Sequence, residues 1–211
     1  LFDRATKLDP DLIVVTGDLC DRLSDHRATL RLIEEVDAPL GAYAVLGNHE
    51  YIRGIDKVLE DYADSDVTLL VDKAVTLLID AAILHVVGID DPQYLHTQHR
   101  KGKRRINTSV DRALQGISTD NAFTMLLSHR PKAFDYAAPL GVDLVLSGHT
   151  HGYQLGFRGR SIFQALFPKS YIWGHYTKND AQLYTSAGVG HLLMPIRLGC
   201  PSEAPMFVLH Q

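Results

Sequence analysis

Short runs of apolar, largely β-branched residues alternate along the chain with longer segments that mix apolar and charged positions. Residues 11–16 and 41–46 are such runs, and each leads into a glycine, which is typical of a strand buried on both faces. Residues 24–36 lie between them and place apolar side chains among charges at the spacing of a surface helix. The first part of the chain therefore predicts a βαβ unit.

Later segments repeat these two patterns and predict a mixed α/β architecture. Further strands are predicted over residues 67–70, 74–79, 83–87, 122–127, 142–146, 183–186 and 206–209, and helices over residues 51–62 and 132–138. The first three of these strands follow one another closely enough to predict a meander. Residues 92–116 predict an exposed loop followed by a short helix, and residues 152–176 predict a long loop region.

Composition and charge fit a single domain spanning residues 1–211. The chain is 45% hydrophobic and 22% charged, which is ordinary for a globular protein with one core. Its net charge of −4 predicts no nucleic-acid partner. Cys20 and Cys200 are too few for a disulfide framework, and they leave the cellular compartment unknown. The apolar stretch at residues 74–89 is too short and too interrupted to span a bilayer.

Metal-ligating residue types follow four of the predicted strands. The sequence reads Gly-Asp-Leu-Cys-Asp at residues 17–21, Gly-Asn-His-Glu at residues 47–50 and Gly-His-Thr-His-Gly at residues 148–152, and His129 follows another strand. Strand ends in an α/β fold hold side chains rigidly while loops leave access to them. A carboxylate, an amide oxygen and three imidazoles suit borderline divalent ions such as Mn, Zn or Fe. The pattern predicts a dinuclear metal hydrolase acting on a phosphoester.

The order of these motifs is similar to that of the calcineurin-like metallophosphoesterases, and the similarity covers most of the chain. The resemblance implies a four-layer α/β/β/α metallophosphoesterase sandwich with mixed sheets, and it implies two divalent metal ions as cofactors. It also implies a ligand set, in which Asp18 bridges both ions, Asn48, His129 and His149 complete the second metal site, and His151 binds the first metal.

The resemblance assigns the proton chemistry to His49 and Asp21. In this scheme metal-bound hydroxide attacks phosphorus, His49 protonates the leaving group, and Asp21 orients the His49 ring. The residue types agree, because a histidine beside dications can donate a proton and a carboxylate on its other nitrogen fixes the tautomer. Asp21 taken alone also fits an Asx turn or a helix cap near Ser24. Cys20 is interpreted as an apolar neighbour of the site rather than a ligand.

One motif of the resembled family is missing from this sequence. That family opens with Asp-x-His on an earlier strand, which supplies two ligands of the first metal, and no such motif precedes Asp18. We therefore expect an incomplete first metal site and a domain that is N-terminally truncated, lacking its first strand. For the chain as given, the expectation is at most one well-occupied metal position, near His129 and His149, with little turnover.

The C-terminal sequence carries a finer resemblance. Residues 186–190 and 195–201 are similar to a bacterial, membrane-associated branch that includes proteins resembling UDP-2,3-diacylglucosamine pyrophosphatases. This implies phosphodiesterase or pyrophosphatase activity on a lipid-linked nucleotide, together with association with a membrane surface. Apolar residues of the late loop fit either packing beneath that loop or contact with an acyl chain: Phe157, Ile162, Phe163, Leu166, Phe167 and Trp173.

Two further alternatives remain open. The basic run at residues 100–105 fits either a solvated loop or a surface that steers an anionic substrate or touches lipid headgroups. The domain as a whole fits either an enzyme or a noncatalytic scaffold that kept the fold and binds a protein partner. Loss of Asp-x-His would favour the scaffold, whereas the pairing of His49 with Asp21 favours the enzyme.

Overall fold

The computed structural model describes residues 2–91, 99–167, 170–192 and 195–210, and of residues 99–104 the backbone alone. A parallel three-stranded sheet has the order β1 (Ile13–Val15), β2 (Ala42–Ala44) and β3 (Thr68–Leu69). Helix α1 (Phe2–Leu8) precedes it, and α2 (Leu23–Glu34) and α3 (Asn48–Ala63) connect consecutive strands. The predicted βαβ unit is therefore part of a longer βαβαβ segment.

The second sheet has six strands and mixed pairing. In chain order the later strands are β4 (Lys73–Ile79), β5 (Ala82–Gly88), β6 (Phe123–Ser128), β7 (Leu144–Ser147), β8 (Gly156–Phe157), β9 (Arg160–Ser161), β10 (Gly174–Lys178) and β11 (Ala181–Thr185). The sheet order is β10-β11-β7-β6-β5-β4, while β8 and β9 form a separate hairpin. Its four central strands are parallel, and both edge strands pair antiparallel to their neighbours.

Two further helices belong to the second half of the chain. Helix α4 (His99–Ala113) lies between β5 and β6, and α5 (Phe134–Ala137) lies between β6 and β7. The short α5 is flanked by the 3₁₀ helices Pro131–Ala133 and Ala138–Leu140. Across the segments that the structure describes, no helix combines the length and the apolar character that a bilayer crossing needs.

The two sheets face one another between two helical layers. Tyr43 of β2 and Leu70, which directly follows β3, pack with Met125 of the large sheet in a core between the sheets. Val58 of α3 is buried against the opposite face of the small sheet, and Val110 of α4 against the opposite face of the large one. Side chains of alternate residues along a strand therefore pack into two different hydrophobic cores, one on each face of the sheet. The predicted α/β/β/α sandwich with mixed sheets is confirmed.

Several predicted strands pair differently in the structure. The strands predicted over residues 67–70, 74–79 and 83–87 do not form a meander, because β3 pairs with β2 in the small sheet while β4 and β5 form a hairpin in the large one. Residues 206–209 form no strand. The segment predicted as a long loop contains two 3₁₀ helices and the β8–β9 hairpin. A local apolar pattern identifies an extended segment but does not specify its partner, which explains these errors.

Two helices begin earlier than the pattern predicts. Helix α3 begins at Asn48, so the sequence Gly-Asn-His-Glu forms a helix start and not a loop. Helix α4 begins at His99, so the basic run at residues 100–105 is helical. Lysine and arginine favour helices, but without an apolar stripe the pattern resembles a loop. The side chains of residues 100–104, and the whole of the predicted loop at 92–98, lie outside the described residues.

Candidate metal centre

Four of the predicted ligands lie at strand ends that the fold brings together. Asp18 follows β1, and Asn48 follows β2 as the first residue of α3. His129 directly follows β6, and His149 follows β7. Each sheet therefore contributes two of the four side chains. The loops that carry them are far apart in sequence and adjacent in space.

The Nε2 atom of His129 is the centre of this ligand cluster, which comprises Asp18, Asn48, His129 and His149. It lies 3.1 Å from Asp18 Oδ2, 3.1 Å from Asn48 Oδ1 and 3.1 Å from His149 Nδ1. One ligand atom from each of Asp18, His129 and His149 lies within 4.8 Å of the other two. Mixed oxygen and nitrogen ligands at this spacing are what a borderline divalent ion uses.

The polarity of the cluster fits a cation. The Thr16 carbonyl oxygen lies 2.8 Å from His129 Nδ1 and accepts a hydrogen bond from Nδ1–H, so a neutral His129 ring presents a lone pair at Nε2. Asp18 and Asn48 direct oxygen lone pairs to the same point. Facing lone pairs repel one another unless a positive charge lies between them, and a single proton can bridge only two of these atoms. The four residues therefore fit a divalent metal ion in both geometry and charge.

The electrostatics of the cluster favour the metal-binding protonation states of Asp18 and His149, whereas His129 must lose the proton that Asp18 favours before its Nε2 can bind an ion. Burial opposes ionisation of Asp18, but His129 and the backbone N–H of His49 outweigh it and hold the pKa of Asp18 well below its usual range. Burial opposes protonation of His129 as well, and Asp18 reverses this and raises the pKa of the ring. Burial, followed by the charges of His129 and Arg130, lowers the pKa of His149 to about 3. An ionised carboxylate beside a neutral imidazole is a combination that binds metal.

Glycine is required where the first two motifs meet. Gly17 has a φ of +83°, and a Cβ there would lie 2.5 Å from the backbone nitrogen of Gly47. A Cβ on Gly47 would overlap the carboxylate of Asp18. Side chains at these positions would therefore push the loops apart and displace Asp18. Asp18 itself has a φ of +53°, an uncommon conformation for a residue with a side chain and one that concentrates at functional sites.

His49 and Asp21 form a pair beside the ligand cluster. His49 Nδ1 lies 3.1 Å from Asp21 Oδ1, and the backbone N–H of His49 donates to Asp18 Oδ1 at 2.8 Å. The second bond holds His49 next to a predicted ligand. The His49 side chain is 26% exposed, so a substrate can reach it. Arg53 also donates to Asp21 Oδ1 at 2.9 Å, and Arg53 followed by His49 lowers the pKa of Asp21.

The alternative roles of Asp21 and Cys20 can be compared with their contacts. Helix α2 begins at Leu23, and its N-cap residue is Arg22, so Asp21 is not the helix cap considered from sequence. Cys20 Sγ donates to the Arg22 carbonyl at 3.1 Å. Burial, followed by the charge of Glu50, raises the pKa of the Cys20 thiol to about 11. Cys20 is therefore a protonated neighbour of the site at neutral pH.

His151 lies outside the ligand cluster. It begins a 3₁₀ helix, His151–Gln154, and has a φ of +51°. Its Nδ1 is buried, and no hydrogen-bond partner for it occurs among the residues that the structure describes. Burial, followed by the charge of Arg197, lowers the pKa of His151, so the ring is neutral at neutral pH. Its role as a ligand of the first metal stays a prediction.

The sequence argument missed two residues of the site. Glu50 is buried, and its carboxylate accepts the backbone N–H groups of Asp18, Leu19 and Gly47 at 2.7–3.0 Å. Arg130 donates to His149 Nε2 at 2.8 Å. Each directly follows a histidine that the sequence argument selected, and that adjacency was the available signal.

The late apolar residues divide between the interior and the surface. Trp173 is buried, and Phe163 packs against its cluster. The others are exposed, namely Phe157, Ile162, Leu166 and Phe167. A cavity of about 320 Å³ is lined by Tyr153, Leu155, Phe163 and Phe167, and the first of these residues follows His151 by two positions. Packing beneath the loop therefore explains Trp173, whereas the exposed residues present apolar side chains to solvent.

Comparison with known proteins gives a consistent family. A family model described as calcineurin-like phosphoesterase matches residues 1–153. The chain is 33% identical over 203 residues to an uncharacterised metallophosphoesterase of Aquifex aeolicus, covering 92% of this chain and 70% of that protein. It is 30% identical to a Bos taurus protein named transmembrane protein with metallophosphoesterase domain, covering 96% of this chain and 46% of that protein. The chain thus spans about half the length of this second relative.

Solved structures give the same fold at low sequence identity. The phosphopantetheinyl hydrolase PptH of Mycobacterium tuberculosis superposes with a TM-score of 0.56 at 12% identity. The match covers 87% of this chain and 82% of that chain. Two proteins this different in sequence share the arrangement of their sheets and helices, and the likeness extends to the fold alone.

Proposed function

Since the chain belongs to the calcineurin-like phosphoesterases, a family of metal-dependent phosphoester hydrolases, we propose that it cleaves a phosphodiester or pyrophosphate bond with His49 as the proton donor. One observation carries the proposal. The backbone of His49 bonds to Asp18 at 2.8 Å while its ring contacts Asp21 at 3.1 Å, which holds a proton donor beside the candidate metal ligands. A binding module has no evident need for that arrangement.

The ligand cluster would hold one divalent ion, and Asp18 with His151 would contribute to a second. A bound ion would neutralise charge on the phosphoryl oxygens and lower the pKa of water at the centre. Mn, Zn and Fe all suit the mixed ligand set, and no contact distinguishes them. The chain itself keeps Asp18 ionised and His149 neutral for this purpose.

The chain's own part in bond cleavage is a proton held on the imidazole of His49. In the protonated ring, Nδ1–H donates a hydrogen bond to Asp21, which orients the imidazolium, and Nε2–H is the donor toward the leaving group; after the transfer His49 is the neutral imidazole. A departing alkoxide or phosphate is a poor leaving group until it gains that proton. Arg53 fixes the Asp21 carboxylate, so the ring is oriented by two successive contacts.

We also propose that the substrate carries an apolar group, with a lipid-linked nucleotide as the preferred class and a membrane surface as its location. The support is that Phe157, Leu166 and Phe167 are exposed and that Phe167 lines an apolar cavity together with Tyr153, which is two residues from His151. An acyl chain there would remove this surface from water. The Bos taurus relative is named a transmembrane protein, which is consistent with such a location.

Replacing His49 by alanine tests the proton transfer. Wild type and His49→Ala are assayed with Mn²⁺ on aryl and alkyl phosphodiesters whose leaving groups differ in pKa. p-Nitrophenolate departs without a proton, whereas an alkyl alkoxide does not. We expect His49→Ala to lower turnover of the alkyl ester by about 10²–10⁴-fold and that of the p-nitrophenyl ester far less. His175→Ala is the control, because His175 is exposed on β10 and bonds to Gln182.

Two outcomes would contradict this function. An equal loss on both classes of ester would reject His49 as the proton donor. Intact ion binding without hydrolysis of any mono-, di- or pyrophosphoester would favour the noncatalytic scaffold.

Matched substrates test the apolar group separately. A nucleotide diester with an acyl chain is compared with the same diester without it. Phe167→Ser should raise KM for the acylated compound only, because Phe167 lines the cavity. Leu78→Ser is the control, since Leu78 is also apolar and exposed but lies on β4. The same KM for both compounds in wild type would reject a lipid-linked substrate.

A further inference from the structure

Arg130 connects two of the candidate metal ligands to a buried carboxylate. It lies between β6 and the 3₁₀ helix Pro131–Ala133. Its Nε donates to Asp91 Oδ2 at 2.8 Å and its Nη1 to His149 Nε2 at 2.8 Å, while Nη2 lies 3.5 Å from Asn48 Oδ1. The Arg130 side chain is 23% exposed. The guanidinium therefore faces both the ligand cluster and solvent.

Asp91 anchors this arginine at Nε. The Asp91 side chain is fully buried, and its oxygen Oδ2 lies 2.8 Å from Nε, so the ion pair is shielded from water and fixes the position of the guanidinium. A guanidinium carries its donors in a rigid planar fork. With Nε held, both Nη groups are directed toward the ligand cluster. Such a group is preorganised to bind an anion that approaches the cluster.

The bond from Arg130 to His149 requires one particular form of the imidazole. A guanidinium only donates, so His149 Nε2 must accept, and the proton of the neutral ring is then on Nδ1. It is Nδ1 that faces His129 Nε2. An imidazole that binds a metal through Nδ1 carries its proton on Nε2 instead. An ion held by His149 and the bond from Arg130 are therefore mutually exclusive, and ion binding frees Nη1.

We infer that Arg130 is a phosphoryl-binding residue of this centre, positioned by Asp91 and released from His149 when the ion binds. The inference rests on the proposed phosphoester hydrolysis and names a substrate contact within it. The arginine fork matches two oxygens of a phosphoryl group, and charge-assisted bonds of this kind are the strong ones. The substrate phosphate also compensates the positive charge that Arg130 and the ion bring together.

This role gives Arg130 two effects of opposite sign. Removing the guanidinium removes donors from the bound phosphate, so phosphate binds more weakly. The same change removes a positive charge and a competing donor from the ligand cluster, so ions bind equally well or more tightly. A residue that merely supports the fold would weaken both.

Calorimetry measures the two effects without turnover. Mn²⁺ is titrated into the metal-free protein, and inorganic phosphate into the Mn²⁺-loaded protein. For Arg130→Met we expect phosphate affinity to fall about 10- to 100-fold, with Mn²⁺ affinity unchanged or higher. Arg130→Lys keeps the charge but cannot reach Asp91 and phosphate together, so it should not restore phosphate binding. Arg27→Met is the control, an exposed arginine that pairs with Asp64.

Unchanged phosphate affinity in Arg130→Met would overturn the inference, and so would a fall in Mn²⁺ affinity that accounts for the loss of phosphate. Asp91→Asn tests the same role in a chain that keeps the arginine. It should weaken phosphate binding less than Arg130→Met does, and it should add nothing in the double variant. Fully additive losses would overturn the positioning role of Asp91.

The two proposals fail in different ways. If phosphate binding depends on Arg130 in a protein that hydrolyses no ester, the proposed function is wrong and this inference stands. If hydrolysis and phosphate affinity are both normal in Arg130→Met, the function stands and this inference is wrong.

Discussion

Glu50 joins the two loops that carry Asp18 and Asn48. Its carboxylate oxygens accept three backbone N–H groups, from Asp18 at 3.0 Å and from Leu19 and Gly47 at 2.7 Å each. The side chain is buried, so water cannot replace these bonds. The position of Asp18 therefore depends on a residue that does not itself contact the cluster centre.

Glu50→Gln should destabilise the fold and weaken ion binding together. The glutamine amide turns an NH₂ donor toward backbone N–H groups, which leaves buried donors without an acceptor. We expect a loss of about 2–3 kcal/mol in the free energy of unfolding, measured by urea denaturation. Glu60→Gln is the control, because Glu60 is exposed and pairs with Lys57, and it should cost about 0.5 kcal/mol or less. Equal effects of the two substitutions would contradict this role.

At the level of single residues, the sequence predicted which candidate ligands lie close together better than it predicted their contacts. Asp18, His129 and His149 could be selected because each is of a residue type that commonly binds metals and each lies just after a strand, and both properties are local. The bonds of Arg130 could not be predicted, because its partner Asp91 is 39 positions away in sequence. Such pairings depend on how the sheets pack.

At the scale of elements, one carboxylate links a helix to a loop and an edge strand. Asp135 of α5 lies 2.6 Å from Lys132 Nζ, accepts the Tyr171 hydroxyl at 2.7 Å and lies 3.4 Å from Lys178 Nζ of β10. Burial opposes its ionisation, but Lys132 and Tyr171 outweigh burial and lower the pKa of Asp135. The ionised form is therefore favoured in the folded state.

Asp135 should make the fold less stable in acid. Its folded pKa lies below the unfolded value of about 3.9, so its contribution is complete above that pH and is lost as the pH falls through the folded pKa. Asp135→Asn should cost about 1 kcal/mol at pH 7, since the side chain is partly exposed. Urea midpoints of the two proteins should converge below about pH 4. A difference that stays constant with pH would contradict this, and Asp120→Asn, at an exposed turn, is the control.

Element types were more predictable than their pairing. The parallel strands β1, β2, β6 and β7 follow from continuous apolar runs. The structure shortens β1, β2 and β7, moves β6 by one residue and leaves β1 only half-buried. The partner of β3 could not be read locally, since two residues carry no register information. Helix α3 begins at Asn48 because Glu50 accepts a hydrogen bond from the Gly47 N–H. The sequence argument interpreted these residues as a ligand motif and so did not predict the helix start.

At the scale of the whole molecule, the ligand cluster lies across the two sheets. Asp18 and Asn48 belong to loops of the small sheet, whereas His129 and His149 follow strands of the large one. An ion held by all four would therefore link halves of the fold that otherwise meet through the apolar core between the sheets. Ion binding and the stability of the whole domain should be coupled.

Removing divalent ions should lower the stability of the whole domain. At a free ion concentration 100-fold above its dissociation constant, binding at one site adds about 2.7 kcal/mol to the free energy of unfolding. We expect a chelator to lower Tm and to accelerate amide exchange at the ends of strands in both sheets. Elemental analysis after dialysis should find one ion per chain, since the cluster forms one group of converging ligand atoms.

The same measurement distinguishes the cluster from surface histidines. His129→Ala removes the candidate ligand at the centre of the cluster, so added Mn²⁺ or Zn²⁺ should no longer raise Tm, whereas His175→Ala should respond like wild type. The variant also loses the hydrogen bond from His129 Nδ1 to the Thr16 carbonyl, so it starts from a lower Tm. The test is therefore the change in Tm on adding the ion, and not the starting Tm. An ion held between the sheets would be contradicted if the ion raised the Tm of His129→Ala as much as that of wild type. It would also be contradicted if added ion slowed amide hydrogen exchange in one sheet alone.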